Sequence, residues 1–200
     1  MSAGLLTLIL GGVRSGKSAY ALRLAARSGA AVTVVATARA GDPEMRRRID
    51  LHRRGRPKSW TTIESPIEVA SALRLSGPHA TVLLDDVGNL IANHLTELAP
   101  ALAADAATAP PDLEQALEVR VADELSGLGA LVADGRIAHA IVVTNETGMG
   151  VVPPTVLGRL FRDALGRANQ TLAASADSVV FCVAGLPTVL KGQDPMKAAG

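Results

Sequence analysis

Residues 11–18 read Gly11-Gly12-Val13-Arg14-Ser15-Gly16-Lys17-Ser18, directly after the apolar run Leu5–Leu10 and ahead of a helix-forming stretch. The spacing matches the G-x-x-x-x-G-K-S phosphate-binding loop in the strand-to-helix context that this loop requires. The glycines let the backbone turn tightly with its N–H groups aimed inward, and Lys17 adds a compact positive charge. The Ser18 hydroxyl suits Mg²⁺, and the helix that starts near Lys17 offers its positive end to phosphates. An ordinary glycine-rich turn needs none of these fixed positions, so the motif predicts a nucleoside triphosphate site.

Length and composition favour one globular domain over residues 1–200, with a polar tail over 191–200 that we expect to fray. Hydrophobic residues make up 48% of the chain and charged residues 20%, and the net charge of +1 argues against a nucleic-acid or membrane-surface protein. The single Cys182 cannot form an internal disulfide, and its apolar setting predicts a buried, inert thiol. With no basic leader and no apolar run long enough to span a bilayer, the sequence favours the cytoplasm.

Short apolar runs alternate with helical patterns along the chain. The predicted strands are Leu5–Leu10, Ala31–Thr37, Thr81–Asp85, Ala140–Thr144 and Ser178–Ala184, with a weaker one at Trp60–Ile63. The predicted helices are Lys17–Ser28, Pro43–Arg53, Ile67–Leu75, Leu113–Ala133 and Val156–Ala176, with one more beginning near Val87 and a surface connection over 98–112. This alternation predicts an α/β fold of the P-loop NTPase type, with a mostly parallel central sheet and helices on both faces. Ligands in such folds bind at the C-terminal ends of the strands.

A basic segment follows the second predicted strand. From Arg46 to Lys58 there are seven basic residues against one acid, so this segment sums to +6 and the remainder of the chain to −5. Many charge runs are solvated helix faces, but here the position favours arginines that face phosphate. His52 shares a helical stripe with Met45 and Ile49. That pattern alone favours a core histidine, although a histidine nucleophile beside a bound phosphate is chemically plausible. We expect His79, His94 and His139 to be structural or solvent-exposed.

Two further segments carry candidate site residues. The strand that ends in Asp85-Asp86 is typical of a carboxylate near Mg²⁺, with Asp85 the better candidate because Asp86 should point the other way. Either acid is also suited to cap the helix near Val87. The stretch 145–153, with two glycines and a proline after a central strand, predicts a shaped loop over the site or a plain crossover loop. Arg159 and Asp163 have the spacing of a surface ion pair.

Other classes of protein remain open at this level. A regulatory GTPase shares the loop, and Asp85-Asp86-Val87-Gly88 matches D-x-x-G, but the guanine-recognition pattern N-K-x-D is missing after Asn145. A small-molecule kinase with a single activity needs no His52. A binding or scaffold role leaves His52 and the basic segment unexplained.

The chain resembles the family of bifunctional adenosylcobinamide kinases / adenosylcobinamide-phosphate guanylyltransferases over nearly its whole length. The carriers of the resemblance are GGVRSGKS (11–18), VVATA (34–38), EMRRRIDLHRRGRPKSWTTIE (44–64), LLDD (83–86), TNETGMGVVP (144–153), GRLFRDALGRANQ (158–170) and AGLPTVLK (184–191). The glycine-rich loop alone is widespread, whereas RI-x-x-HR-x-x-RP-x-x-W together with NE-x-GMG-x-VP is far more specific. After Asp85 the family commonly has Cys-Leu-Thr where this chain has Asp86-Val87-Gly88, so no role is carried over to those three positions.

The resemblance implies that the chain phosphorylates adenosylcobinamide with ATP or GTP and then transfers GMP from GTP. It makes His52 the histidine that accepts GMP, Gly11–Ser18 the triphosphate loop, and Glu64 and Asp85 polar contacts near nucleotide and metal. It further implies that Lys17 acts in catalysis, that Ser18 and Asp85 hold Mg²⁺, and that the substrates are adenosylcobinamide and its phosphate. The remaining residues that we expect to contact nucleotide are Thr37, Ala38, Arg39, Arg53 and Arg56. The resemblance further implies a homo-oligomer, a trimer with sites between subunits.

Overall fold

A computed structural model describes residues 3–41, 43–100 and 108–198. Its strands are β1 (Leu5–Gly11), β2 (Val32–Ala36), β3 (Thr61–Glu64), β4 (His79–Asp85), β5 (Ile137–Asn145), β6 (Ser178–Val183) and β7 (Leu186–Lys191). Its helices are α1 (Lys17–Arg27), α2 (Pro43–Arg54), α3 (Val69–Ser76), α4 (Val87–Leu98), α5 (Leu113–Ala133), α6 (Val156–Ser175) and α7 (Pro195–Ala198). The predicted α/β fold is confirmed.

The strands form one sheet in the order β3-β2-β4-β5-β1-β6-β7. All neighbours pair in parallel except β6 and β7, which are antiparallel. The central strands carry continuous apolar runs because both of their faces are buried, as Leu8 and Ile9 show with no exposure at all. One face packs on α1 through residues such as Tyr20 and Leu24, and the opposite face packs on α3–α6. The predicted cover of helices on both faces is therefore confirmed.

The structure departs from the predicted elements at the far edge of the sheet. We expected two strands after residue 112, but β5, β6 and β7 make three. Every residue of β7 is exposed, and Pro187 lies within it, so the strand has no alternation of buried and exposed residues that a sequence pattern could reveal. β4 and β5 also start earlier than predicted, and His79, expected in a loop, is the first residue of β4.

The segment expected as a frayed tail differs as well. Residues 195–198 form α7, which packs near α1, and the Tyr20 hydroxyl donates a hydrogen bond to Asp194 Oδ1 at 3.4 Å. Met196 packs against the cluster that contains Tyr20 and Leu24. Apolar contact thus orders part of a polar tail. The predicted surface connection over 98–112 falls partly outside the described residues, which leave out 101–107.

The C-terminal ends of β1, β2, β4 and β5 lie side by side at one edge of the sheet. Backbone hydrogen bonds continue past the strands, from Thr37 N to Asp85 O at 3.2 Å and from Glu146 N to Gly11 O at 3.2 Å. The segments that follow these strands therefore meet at this edge. In the described part of the chain, no helix combines the length and the apolar character needed to cross a bilayer.

Candidate active site

The phosphate loop joins β1 to α1 and packs closely against the backbone at the end of β6 and the turn after it. Gly16 has a φ of 93°, and a Cβ there would lie 3.0 Å from Gly185 Cα, so both conformation and space require glycine. A Cβ on Gly11 would lie 2.4 Å from Ser15 Oγ and 2.5 Å from Cys182 O. Gly185 N donates to Ser15 O at 2.9 Å, which ties the loop to the turn after β6. The sequence prediction of a phosphate loop in a strand-to-helix turn is confirmed in its geometry.

Lys17 is the first residue of α1, and its side chain folds back over the loop. Its Nζ donates to Gly12 O at 3.2 Å, and the residue is only 8% exposed. Burial lowers the pKa of Lys17 below 10.5, and the charges of Asp86 and Asp85 partly oppose this shift. Burial removes water that would solvate the ammonium group. A bound phosphate at this position would supply a compensating negative charge.

His52 and Asp85 come together, which the sequence did not predict. His52 lies in the last turn of α2, and its Nδ1 is 3.1 Å from Asp85 Oδ2 at the end of β4. Arg56 Nη2 donates to the same oxygen at 3.0 Å. The His52 side chain is 47% exposed, so it does not face a core. The side chain of Met45, predicted on the same stripe, lies outside the described residues. The core interpretation of His52 is wrong.

The contact between His52 and Asp85 raises the pKa of the histidine and lowers that of the acid, as expected for a hydrogen bond between them. The hydrogen bond to Asp85 raises the pKa of His52 above 6.5, with the charge of Asp85 acting in the same sense and burial and Arg56 opposing it. Burial alone would raise the pKa of Asp85, but the hydrogen bond and charge of His52, together with Arg56, hold it below 3.8. Asp85 is therefore a carboxylate, and an acceptor only.

Asp86 points away from His52 and caps α4. Its Oδ1 accepts from Asn89 N at 2.7 Å, and its Oδ2 accepts from Asn145 Nδ2 at 3.3 Å. Burial raises the pKa of Asp86 above 3.8, the nearby charge of Asp85 adds to the shift, and the Asn89 and Lys17 contacts reduce it. The predicted capping role of one of the two acids is confirmed for Asp86.

The other residues expected at the nucleotide are spread along this edge. Thr37 is fully buried, and its hydroxyl donates to Asp86 O at 2.7 Å and accepts from Asp86 N at 2.9 Å. Arg53 forms an ion pair with Glu64, and Arg39 pairs with Glu97 at the end of α4. Ala38 is half-buried beside them. Of the predicted arginines, Arg56 alone reaches Asp85 in the described part of the chain.

A cleft of about 420 Å³ opens beside the phosphate loop. It is lined by the loop residues 12–15, by Glu146, Thr147, Met149 and Gly150 after β5, and by residues 181–184 at and just after the end of β6. Two of its lining side chains are apolar and exposed, Val13 at 83% and Met149 at 80%, and Val151, which follows the lining residue Gly150 in sequence, is 94% exposed. The predicted shaped loop after β5 is thus a wall of this cleft.

Loop 146–155 is fixed by hydrogen bonds at both ends. The Glu146 carboxylate accepts from Gly148 N at 2.7 Å, and Arg159 Nη1 donates to Pro153 O and Pro154 O at 3.1 and 2.9 Å. The ion pair that the spacing of Arg159 and Asp163 suggested is not formed. The Arg159 guanidinium donates to the two proline carbonyls instead, and Asp163 accepts a hydrogen bond from Arg162. Arg159 therefore fixes the C-terminal end of loop 146–155.

Two of the predicted residues, Ser18 and Asp85, carry oxygen atoms of the kind that bind Mg²⁺. Ser18 offers a half-buried hydroxyl in the first turn of α1, and Asp85 Oδ1 accepts no hydrogen bond from any residue that the structure describes. Both oxygens of Asp86 are already used. No cluster of three or more acidic, His or Cys side chains suits a metal among the described residues. One hydroxyl and one carboxylate are the small donor set with which proteins hold Mg²⁺ on a nucleotide phosphate.

Glu124 and Asn93 are buried polar residues that the sequence analysis did not single out. Glu124 of α5 accepts from Glu68 N and, at 3.0 Å, from Val69 N, so it caps α3, and His94 Nε2 lies 3.2 Å from the same carboxylate. Asn93 donates to Thr37 O at 2.8 Å and to Pro66 O at 2.9 Å. The two Asn93 bonds join the loops that follow β2 and β3. The only sequence signal for Asn93 was a polar residue that interrupts the apolar pattern of α4. Cys182 is buried as predicted, and burial raises its pKa.

Comparison with known proteins gives a consistent answer. The family described as cobinamide kinase / cobinamide phosphate guanyltransferase matches residues 7–190. The bifunctional adenosylcobalamin biosynthesis protein CobP of Pseudomonas aeruginosa is 45% identical over 186 residues, which cover 93% of this chain and 97% of that protein. Proteins with the same description, named CobU, are 37% identical in Escherichia coli and 36% identical in Salmonella typhimurium, each covering 94% of this chain and 100% of the relative.

Among solved structures, the crystal structure of the RadB recombinase superposes with a TM-score of 0.47 at 17% identity, covering 90% of this chain and 74% of that chain. The family match spans the phosphate loop, the basic segment and the loop after β5. The predicted resemblance is confirmed: this chain belongs to the cobinamide kinase / cobinamide phosphate guanyltransferase family.

Proposed function

We propose that this chain carries out both reactions named by its family, on adenosylcobinamide and then on adenosylcobinamide-phosphate. The observation that carries the proposal is the pair Asp85-Asp86 at the end of β4: Asp85 Oδ2 lies 3.1 Å from His52 Nδ1, and the charges of Asp86 and, to a lesser extent, Asp85 act on Lys17 of the phosphate loop. A histidine suited to nucleophilic attack and the lysine of a phosphate site therefore lie near the same strand end. A single-activity kinase or a regulatory GTPase has no use for this arrangement.

In the kinase step, the substrate hydroxyl attacks the γ-phosphorus of ATP or GTP and its proton passes to solvent. The bond from the γ-phosphorus to the bridging β-phosphate oxygen breaks, and ADP or GDP leaves. Lys17 and the inward-facing loop N–H groups stabilise the charge that spreads over the transferred group. We propose Ser18 and Asp85 as the protein ligands of Mg²⁺, which when bound adds charge stabilisation to the phosphates. His52 takes no part in this transfer.

In the guanylyl step, neutral His52 attacks the α-phosphorus of GTP and pyrophosphate leaves. The phosphate of adenosylcobinamide-phosphate then attacks the same phosphorus, the P–N bond breaks, and adenosylcobinamide-GDP is released. A covalent intermediate replaces one difficult displacement by two easier ones. The residues proposed to contact the nucleotide lie in or just after α2, which carries His52, or at or just after the C-terminal ends of β2 and β3 beside it in the chain: Arg53, Arg56, Thr37, Ala38, Arg39 and Glu64.

We also propose a homo-oligomer, a trimer with sites between subunits, acting in the cytoplasm and without a nucleic-acid partner. Support comes from the exposed apolar side chains beside the cleft, such as Met149 and Val151, which a second protein surface would cover. Sedimentation velocity measures the mass: a species of three chains supports the trimer, and a monomer at working concentration contradicts it.

Labelled GTP tests the two activities together. Protein incubated with GTP labelled at the α-phosphate should carry acid-labile, alkali-stable label on the peptide that contains His52. GTP labelled at the γ-phosphate should transfer its label to adenosylcobinamide. Release of γ-phosphate without either product would favour a GTPase, and phosphorylation without protein labelling would favour a single-activity kinase.

A further inference from the structure

The contact between His52 and Asp85 determines which imidazole nitrogen is free. A carboxylate only accepts hydrogen bonds, and a neutral imidazole has one donor nitrogen and one acceptor nitrogen. Because Nδ1 lies 3.1 Å from Asp85 Oδ2, the proton of the neutral ring belongs on Nδ1. Within the described residues, Nε2 makes no hydrogen bond, so it keeps a free lone pair on the half-exposed side of the ring.

Asp85 itself is held firmly enough to orient the ring. Its side chain is 13% exposed, and the Arg56 side chain that donates to it is 8% exposed. The two groups are oppositely charged and largely buried, and a charge-assisted hydrogen bond of this kind, 3.0 Å long here, is stronger than one between neutral groups. His52, with a 47% exposed side chain, is the most exposed of the three. The ring therefore takes its orientation from Asp85.

We propose that Asp85 is the positioning residue of the guanylyl transfer, holding the Nδ1–H of His52 so that the guanylyl group forms on Nε2. This inference rests on the proposed function. The Nε2 lone pair forms the bond to the α-phosphorus as the bond to the pyrophosphate oxygen breaks. The positive charge that develops on the ring lies beside the Asp85 carboxylate, and the Nδ1 proton stays in place in both half-reactions. Asp85 Oδ1 remains for the metal.

The resting protein gives the first test, independent of any activity. Full-length protein labelled with ¹⁵N-histidine is examined by long-range ¹H–¹⁵N correlation at a pH where His52 is neutral, with His52→Asn used to assign its signals. We expect the tautomer with the proton on Nδ1. A dominant tautomer with the proton on Nε2 would overturn the inference.

The guanylylated protein gives the second test. With the same labelled protein and GTP, ³¹P–¹⁵N coupling identifies the nitrogen that carries phosphorus, and we expect Nε2. Label on Nδ1 of His52 would overturn this inference while leaving the proposed function intact. Absence of label on any histidine would instead contradict the proposed function, and the tautomer would still decide the positioning role.

Asp85→Asn separates positioning from a merely structural role, with Asp123→Asn on the exposed face of α5 as the matched control. At saturating Mg²⁺ and GTP, the rate of His52 labelling should fall ~10²-fold or more, because an amide that donates to Nδ1 favours the wrong tautomer. The Nδ1–H preference should be lost in the same variant, which a packing defect would not cause. Unchanged tautomer and labelling rate in folded Asp85→Asn would overturn the inference.

Discussion

Lys17 is the residue on which both proposed reactions depend. Its buried ammonium group lies over the phosphate loop, bonded to Gly12 O and facing two acids. Triphosphate has to be neutralised whether the reaction occurs at the γ-phosphorus or at the α-phosphorus. A single side chain is therefore expected to serve both transfers.

Lys17→Ala should reduce both kinase turnover and His52 labelling by ~10²-fold or more, because one preorganised donor is lost in each transition state. Lys197→Ala, an exposed lysine on α7, is the matched control and should leave both rates unchanged. Both rates are measured with labelled GTP at saturating substrate. Full activity in either half-reaction of the folded variant would show that the loop is not the shared site.

Asp85 supports a second prediction at this scale, on the metal. Asp85→Asn removes one negative charge from the proposed Mg²⁺ site at nearly constant size, so the Mg²⁺ concentration for half-maximal kinase rate should rise. The Mg²⁺ titration of the kinase step measures this, with Asp123→Asn as the control. An unchanged Mg²⁺ dependence would move the role to another acid, with Glu64 or Asp86 next in line.

The pH dependence of His52 labelling follows from its raised pKa. Protonated imidazole has no free lone pair, so labelling should be slow at low pH and rise as His52 loses its proton. Because Asp85 raises the pKa of His52, the midpoint should lie above 6.5. Initial labelling rates measured from about pH 5 to 9 give the midpoint. A midpoint at or below the ordinary value would contradict the contact with Asp85.

At the scale of elements, α3 shows how a helix start is set by a distant residue. The apolar pattern predicts a start at Ile67, but the helix begins at Val69 after Glu68, which has a φ of 56°. Glu124 accepts the N–H groups of Glu68 and Val69 from α5, more than fifty residues away in sequence. A helix N-terminus leaves such N–H groups without partners inside the helix, and a buried carboxylate satisfies them.

Glu124→Gln should lower the free energy of unfolding by about 1–3 kcal/mol, because the amide NH₂ cannot accept a backbone N–H and one buried donor is left unpaired. Glu118→Gln, on the same helix with a 43% exposed side chain, is the control and should change stability by less than about 0.5 kcal/mol. Urea unfolding followed by circular dichroism measures both. Equal stability of the two variants would show that the α3 cap contributes little.

Most elements were predictable because their burial is continuous. β1, α5 and α6 follow apolar runs or stripes, and the predicted bounds of α5, Leu113–Ala133, are those observed. The exposed edge strand β7 and the helix α7 carry no such pattern, so their order depends on neighbours that the sequence does not reveal. The periodicity of apolar residues predicts segments that bury one or both faces, and it predicts little about an exposed strand at the edge of a sheet.

At the scale of the whole molecule, the strand order assembles the site. β4 lies between β2 and β5, so Asp85 at its end sits beside the segment that follows β2, where α2 carries His52. The residue types of the site could be predicted from motifs and from the family resemblance. The contact between His52 and Asp85 could not, because it joins residues 33 positions apart through a sheet order that periodicity leaves open.

The central claim is that one site performs two transfers and that His52 serves only one of them. The most direct measurement compares His52→Asn with His79→Asn, the same change at the opposite end of β4, using α-labelled GTP and adenosylcobinamide. His52→Asn should show no covalent label and no adenosylcobinamide-GDP, yet still phosphorylate adenosylcobinamide, while His79→Asn retains all three. Label that persists in His52→Asn, or loss of phosphorylation together with labelling in the folded variant, would contradict the account.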